Sequence, residues 1–235
     1  MSLSGPRWCG VEIVEIKRGI YLVDGVRGAN SYISVTEEGV IVIDTGMPGN
    51  AKRIVDQIKA LNKTEKEIKL IILTHSDIDH SGSAAELKRI TGANVAIHGG
   101  DAPSLSGEKE LKRVKGFVGV IFGLILKFMK FQKFKPDILL KDGDEIDNLR
   151  VIHTPGHTEG SICLYKVGDI LFAGDSVRTD RKGNLKLPSR AMSLNVQEAL
   201  ESVRKMAALE FNILFPGHGA PIMDKASTKL QELLA

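Results

Sequence analysis

Residues 74–82 read T-H-S-D-I-D-H-S-G and bring His75, Asp77, Asp79 and His80 into six residues. Imidazole nitrogen with carboxylate oxygen is a donor set suited to zinc, iron or manganese. In an extended turn, positions 75, 77 and 79 point toward one centre and His80 toward a neighbouring one. The segment reads equally as a polar loop in which Ser81 caps the following helix, so alone it does not establish a metal site. Three more loops carry the same side-chain types: H-T-P-G-H ends on His157, F-A-G-D-S holds Asp175, and F-P-G-H-G holds His218. In each, an apolar run delivers an imidazole or carboxylate at its C-terminal end, beside Gly or Pro. Function concentrates on loops held by rigid elements, and four such loops point to one shared site.

The elements that must position these loops are legible in the periodicity. Residues 11–45 form a series of short, β-branched, alternating runs separated by Gly, Asn or acidic turns, which predicts strands. AKRIVDQIKAL (51–61) carries Ile54, Val55, Ile58 and Leu61 at helical spacing. LIIL (70–73) and NVAIH (94–98) read as strands around a helix at 83–90 that stops near Gly92. Strands return at 149–153, 161–167 and 169–173, followed by a helix at 196–208 and a last strand at 212–215. Strands in both halves with helices between them predict a layered α/β architecture.

Composition bounds the function. The 235 residues are 43% hydrophobic and 26% charged, as in an ordinary globular protein, which argues against disorder. The net charge of +3 is too small to argue for a nucleic-acid partner. The basic character sits in residues 109–135, with eight Lys/Arg, one acid and five of the eight phenylalanines. The longest uncharged stretch there, Gly116–Leu126, is too short to span a bilayer. Cys9 and Cys163 make no disulfide framework and lack C-x-x-C spacing, which favours a reducing, cytoplasmic setting. No secretion signal is apparent. The expected organisation is a flexible N-terminus (1–10) and a single domain (11–235).

With these motifs in order, the chain resembles the metallo-β-lactamase-fold hydrolase superfamily, in its single-domain glyoxalase II and lactonase-like branch. The family's T-H-x-H-x-D-H-x-G is matched by Thr74–Gly82 except at Asp77, where most relatives have histidine. The later motifs are matched by His157, Asp175 and His218, and the early D-T-G by Asp44-Thr45-Gly46. The resemblance runs from about residue 11 to 224 and implies a four-layer αββα sandwich. By the family pattern His75, Asp77 and His157 hold one metal, Asp79, His80 and His218 hold a second, and Asp175 bridges. Asp44 and His153 become outer partners of the ligands. Two divalent cations are implied, zinc first. Asp77 adds a hard oxygen donor, which moves preference toward iron or manganese and makes His80 the least secure ligand.

The resemblance implies hydrolysis of an ester, lactone or thioester by metal-activated hydroxide, with Asp79 orienting the nucleophile and carrying its proton. An iron-dependent persulfide dioxygenase is the alternative, and a non-catalytic metal-binding protein a lesser one. The tyrosine used by related lactonases between the bridging aspartate and the last histidine has no counterpart, since Tyr21, Tyr32 and Tyr165 all precede Asp175. The 17 residues after His218 leave no room for a glutathione-holding helical domain. A helical insertion is expected at about 101–135, where Val114, Phe117, Ile121, Leu124, Phe128 and Phe131 form an apolar stripe. We read it as a lid over a small-molecule substrate, with Phe122, Phe128 and Arg178 as substrate contacts; contact with a membrane surface is the weaker variant.

Overall fold

The computed structural model describes residues 7–8, 11–112 and 131–235. Phe122, Phe128 and most of the expected lid stripe lie outside them. Among the described residues the strands form one sheet of eight, one of five and one of two. The first runs in chain order: β1 (Arg7–Trp8), β2 (Val11–Lys17), β3 (Ile20–Val23), β4 (Tyr32–Val35), β5 (Val40–Ile43), β6 (Ile68–Ile72), β7 (Asn94–His98) and β8 (Ile138–Leu140). The second contains β9 (Glu145–Ile146), β10 (Leu149–His153), β11 (Ile162–Lys166), β12 (Ile170–Gly174) and β15 (Ile213–Pro216), and β13 (Arg178–Thr179) pairs with β14 (Leu185–Lys186). Chain contacts divide the described residues into two compact units: 7–8, 11–73, 77–96 and 131–138 in one, and 74–76, 97–112 and 139–235 in the other.

In the first unit, β2 to β5 are successive antiparallel pairs, whereas β5–β6 and β6–β7 are parallel. Parallel neighbours need crossovers, and helices α1 (Ala51–Ala60) and α3 (Ala84–Thr91) supply them. The predicted stripe of α1 is real: Ile54, Val55 and Ile58 are buried. Thr91 is followed by Gly92 at φ 77°, a left-handed position that ends α3 where the sequence placed its stop. Strand β5 is buried along its whole length, as a strand covered on both faces requires.

In the second unit, β12 and β15 are parallel, and α5 (Val196–Ala207) makes the crossover. Asn195 Oδ1 caps this helix by accepting from the backbone N–H groups of Gln197 and Glu198 at 3.1 and 3.3 Å. Cys163, Leu171, Val203, Met206, Leu214 and Leu230 form its core, with Leu230 contributed by the C-terminal helix α6 (Ala226–Leu234). Burying a side chain of this size contributes about 1.5–3 kcal/mol. Cys163 behaves as the small buried apolar residue the sequence suggested: burial pushes its thiol pKa up to about 11. No described helix is long and apolar enough to cross a membrane.

Two local expectations are corrected. Residues Ile78–Ser81 form a helical turn, α2, rather than an extended loop. Ser81 belongs to that turn, and Ser83 stands at the N-terminus of α3. Four consecutive residues carry too weak a periodic signal to separate helix from loop.

Within the first unit, the segment before β8 is pinned to β7 by Asp137. Its carboxylate accepts from the Val95 N–H at 2.7 Å and from Lys88 Nζ at 2.6 Å. Burial opposes the charge, but these bonds hold the carboxyl pKa below its ordinary value. A depressed native pKa contributes stability that is present above the unfolded value of about 3.9 and lost as pH falls through the native one. Asp137→Asn is therefore expected to lower the urea midpoint at pH 7, with the gap to the unaltered chain closing below about pH 4 in equilibrium unfolding.

Candidate metal centre

Parallel strands present their C-terminal ends as natural binding edges. Here β5 leads into Asp44, β6 into His75, β12 into Asp175 and β15 into His218. The close approach of backbone at these ends is visible at Gly174, at φ 50°, where a Cβ would meet the Thr74 hydroxyl at 2.8 Å.

In the second unit, His75 and His157 are buried and their rings meet edge to face, 4.7 Å between centroids. Nδ1 of His75 is engaged by the Thr74 hydroxyl at 3.0 Å. Asp175, also buried, turns one oxygen to each of two imidazoles: Oδ2 is 3.6 Å from His157 Nε2 and Oδ1 is 3.5 Å from His218 Nε2. These separations are long for charge-assisted hydrogen bonds. They are close to the roughly 3.4 Å between two ligands that each lie about 2.0–2.1 Å from one tetrahedral cation. His157 Nε2 already receives a cation, the Lys112 ammonium at 2.6 Å, which also donates to the Met192 carbonyl at 3.1 Å. The sequence singled out basic residues 109–135 as a group but not Lys112, whose role depends on a fold-level contact with a residue 45 positions away.

In the first unit, Asp77, Asp79 and His80 are brought close together by α2. The His80 and Ser81 N–H groups both donate to the Asp77 carbonyl at 2.9 Å, which starts the turn at Asp77. Asp79 is held through its carbonyl, which accepts from Ala29 N–H at 3.0 Å, and its Cβ lies where a side chain on Gly28 would collide. Asp44 is buried at a positive φ of 57°, and its Oδ2 lies 2.8 Å from His80 Nδ1. A carboxylate oxygen accepts, so His80 donates through its Nδ1–H, which makes Nε2 the ring nitrogen suited to a metal.

Three sets of residues are candidate metal donors: His75, Asp77 and His157; Asp79, His80 and His218; and His75, His80 and Asp175. Each set holds two imidazoles and one carboxylate, which suits a divalent transition metal.

Two further expected residues, His153 and Arg178, are described as well. His153 stacks on His98 at 4.0 Å, and its Nε2 donates to the Glu159 carbonyl at 2.9 Å. Burial and the neighbouring His153 ring hold the His98 pKa below its ordinary value. Arg178 is half-buried on β13.

The Asp44 contact generates a prediction that needs no metal. Long-range 1H–15N spectra of the metal-free chain are expected to show His80 as the Nδ1–H tautomer. Asp44→Ala should shift its population toward the commoner Nε2–H form; an unchanged tautomer would show that another group fixes the ring.

The chain is similar to several known proteins. A profile of the metallo-β-lactamase superfamily matches residues 24–218. The probable metallo-hydrolase YflN of Bacillus subtilis (strain 168) is 32% identical over 205 residues, covering 79% of this chain and 77% of its own. The human acyl-coenzyme A thioesterase MBLAC2 is 29% identical over 167 residues, 63% of this chain and 58% of its own. Among solved structures, BJP-1, a subclass B3 metallo-β-lactamase of Bradyrhizobium japonicum, superposes with a TM-score of 0.67 at 26% identity, covering 92% of this chain and 88% of that one. Motif order, α/β fold and profile match lead to one conclusion: the chain belongs to the metallo-β-lactamase superfamily.

Proposed function

We propose that the protein is a metal-dependent hydrolase acting on acyl thioesters, with esters and lactones as weaker substrates. The observation that carries this reading is Asp175, whose two oxygens face His157 and His218 at 3.6 and 3.5 Å. That arrangement suits a carboxylate shared by two cations, with His75, Asp77 and His157 holding one and Asp79, His80 and His218 the other. Three carboxylates nearly balance two divalent charges, which supports a dinuclear assignment. When bound, such cations supply Lewis acidity for a substrate carbonyl and acidify water to near neutral pH.

The chain's own residues do the rest. Asp79, fixed by the Ala29 bond to its carbonyl, orients the attacking water and accepts its proton. A thiolate leaves with a conjugate-acid pKa of about 8.5, so a thioester asks less of that proton relay than an amide. Lys112, already turned to His157, is suited to hold an anionic group of the substrate. The name of the relative MBLAC2, an acyl-coenzyme A thioesterase, favours the thioester within the ester, lactone and thioester class.

One observation favours a second reading. Two histidines and one carboxylate also form the donor set of mononuclear iron oxygenases, and each of the three sets here has that composition. Iron-dependent oxidation of a persulfide is therefore kept beside hydrolysis, and the stoichiometry of metal and oxygen uptake separates them.

Purified chain is expected to hold close to two transition-metal ions and to cleave short acyl thioesters faster than matched amides. Asp175→Ala should lower metal content and turnover together, turnover by roughly 100-fold or more given what a shared ligand does. Full metal content and turnover in that variant would refute the bridging role. Asp77→His, which exchanges hard oxygen for nitrogen, should raise the ratio of zinc to iron recovered from the same growth medium. An unchanged ratio would mean that Asp77 does not select the metal.

A further inference from the structure

Asp101 directly follows the His98-Gly99-Gly100 end of β7 and is buried. It stands at the N-terminus of the short helix α4 (Ala102–Ser106), where an aspartate ordinarily turns its carboxylate onto the first N–H groups of its own helix. Here it makes no such cap. Its Oδ2 instead accepts from the Ser76 N–H at 2.7 Å and from the Thr158 hydroxyl at 2.8 Å, and its Oδ1 accepts from the Gly160 N–H at 2.8 Å. Ser76 is the residue after His75, and Thr158 is the residue after His157. One oxygen thus ties together the two loops whose imidazoles meet at 4.7 Å.

The loop after His157 packs closely on this carboxyl group. A side chain on Gly160 would meet Asp101 N at 2.5 Å and its Cγ at 2.8 Å, so the loop after His157 closes directly on the carboxyl group. The Thr158 hydroxyl is oriented in turn. Ser161 Oγ accepts from the Thr158 N–H at 3.0 Å and lies 2.7 Å from Thr158 Oγ1; since Thr158 gives its hydroxyl proton to Asp101, Ser161 is the donor in that second contact.

We infer that Asp101 is a positioning residue of the metal centre: by accepting from the residues that follow His75 and His157, it sets the separation of their imidazoles and so the affinity for the cation they share. The inference rests on the reading of those histidines as ligands. It adds a group that touches neither metal nor substrate. The three donors use both oxygens of Asp101 as acceptors, a demand that asparagine cannot meet. Its amide nitrogen must face either Gly160 N–H or the Ser76 and Thr158 donors.

The test uses the full chain, stripped of metal, with zinc as the probe and a competing chelator to measure affinity. Metal-free melting temperature is recorded in parallel. Asp101→Asn is expected to weaken zinc binding by about 10–100-fold, the usual effect of removing a partner that orients a ligand. Thr158→Val, which removes one donor and leaves the carboxylate, should weaken it less and in the same direction, and carries the test if Asp101→Asn does not fold. Asp137→Asn, which removes a similarly bonded carboxylate whose partners are Lys88 and Val95, should lose stability but keep its zinc affinity within about 2-fold, since its lost bonds orient no ligand. A lower melting temperature with unchanged zinc affinity in both Asp101→Asn and Thr158→Val would overturn the inference and leave Asp101 a structural residue. Absence of zinc binding in the unaltered chain would overturn the ligand reading, and the inference with it.

Discussion

Collecting carboxylates and imidazoles in a buried place is unfavourable unless each charge is paired, hydrogen-bonded or bound to a metal. The rest of this structure depends on meeting that constraint. Asp44 meets it by facing the Nδ1 of His80, and Asp175 by facing His157 and His218 with separate oxygens. The backbone is bent to allow it. Asp44 accepts a left-handed conformation uncommon outside glycine, and Gly174 has its Cα where a side chain would strike Thr74. Strain of this kind, of order 1–3 kcal/mol per residue, persists where the surrounding structure fixes it, and it clusters at functional sites.

Rigid elements carry that load. Parallel strands β5, β6, β12 and β15 end in loops that hold Asp44, His75, Asp175 and His218. The helices that join the strands bury their apolar faces, so the strand ends are set by core packing and not by the donors themselves. This is a sensible division of labour: a cluster that repels itself without a cation has to be held by something else.

Much of this was legible in the sequence because the signals are local. Strand periodicity, the helical spacing of Ile54, Val55 and Ile58, and the glycine stop at Gly92 each depend on a few consecutive residues. The donors were legible because they follow apolar runs directly. The helical turn at Ile78–Ser81 was not, since one turn has no period to read. The strand-end pattern that marked Asp175 also fits Asp101, which follows β7, yet its partners Ser76 and Thr158 lie 25 and 57 residues away and only folding reveals them. Lys112 was hidden for the same reason. His153 resembles a ligand's partner in spacing, but its ring stacks on His98 and bonds the Glu159 carbonyl, contacts that spacing does not encode.

The central claim is that seven side chains, His75, Asp77, Asp79, His80, His157, Asp175 and His218, share two cations. Anomalous diffraction from crystals of metal-loaded protein, collected across the zinc, iron and manganese edges, addresses it most directly. The account predicts two anomalous peaks, one contacted by His75, Asp77 and His157 and the other by Asp79, His80 and His218, with Asp175 reaching both. A single peak that leaves His218 and Asp79 without metal, or peaks remote from these residues, would contradict it.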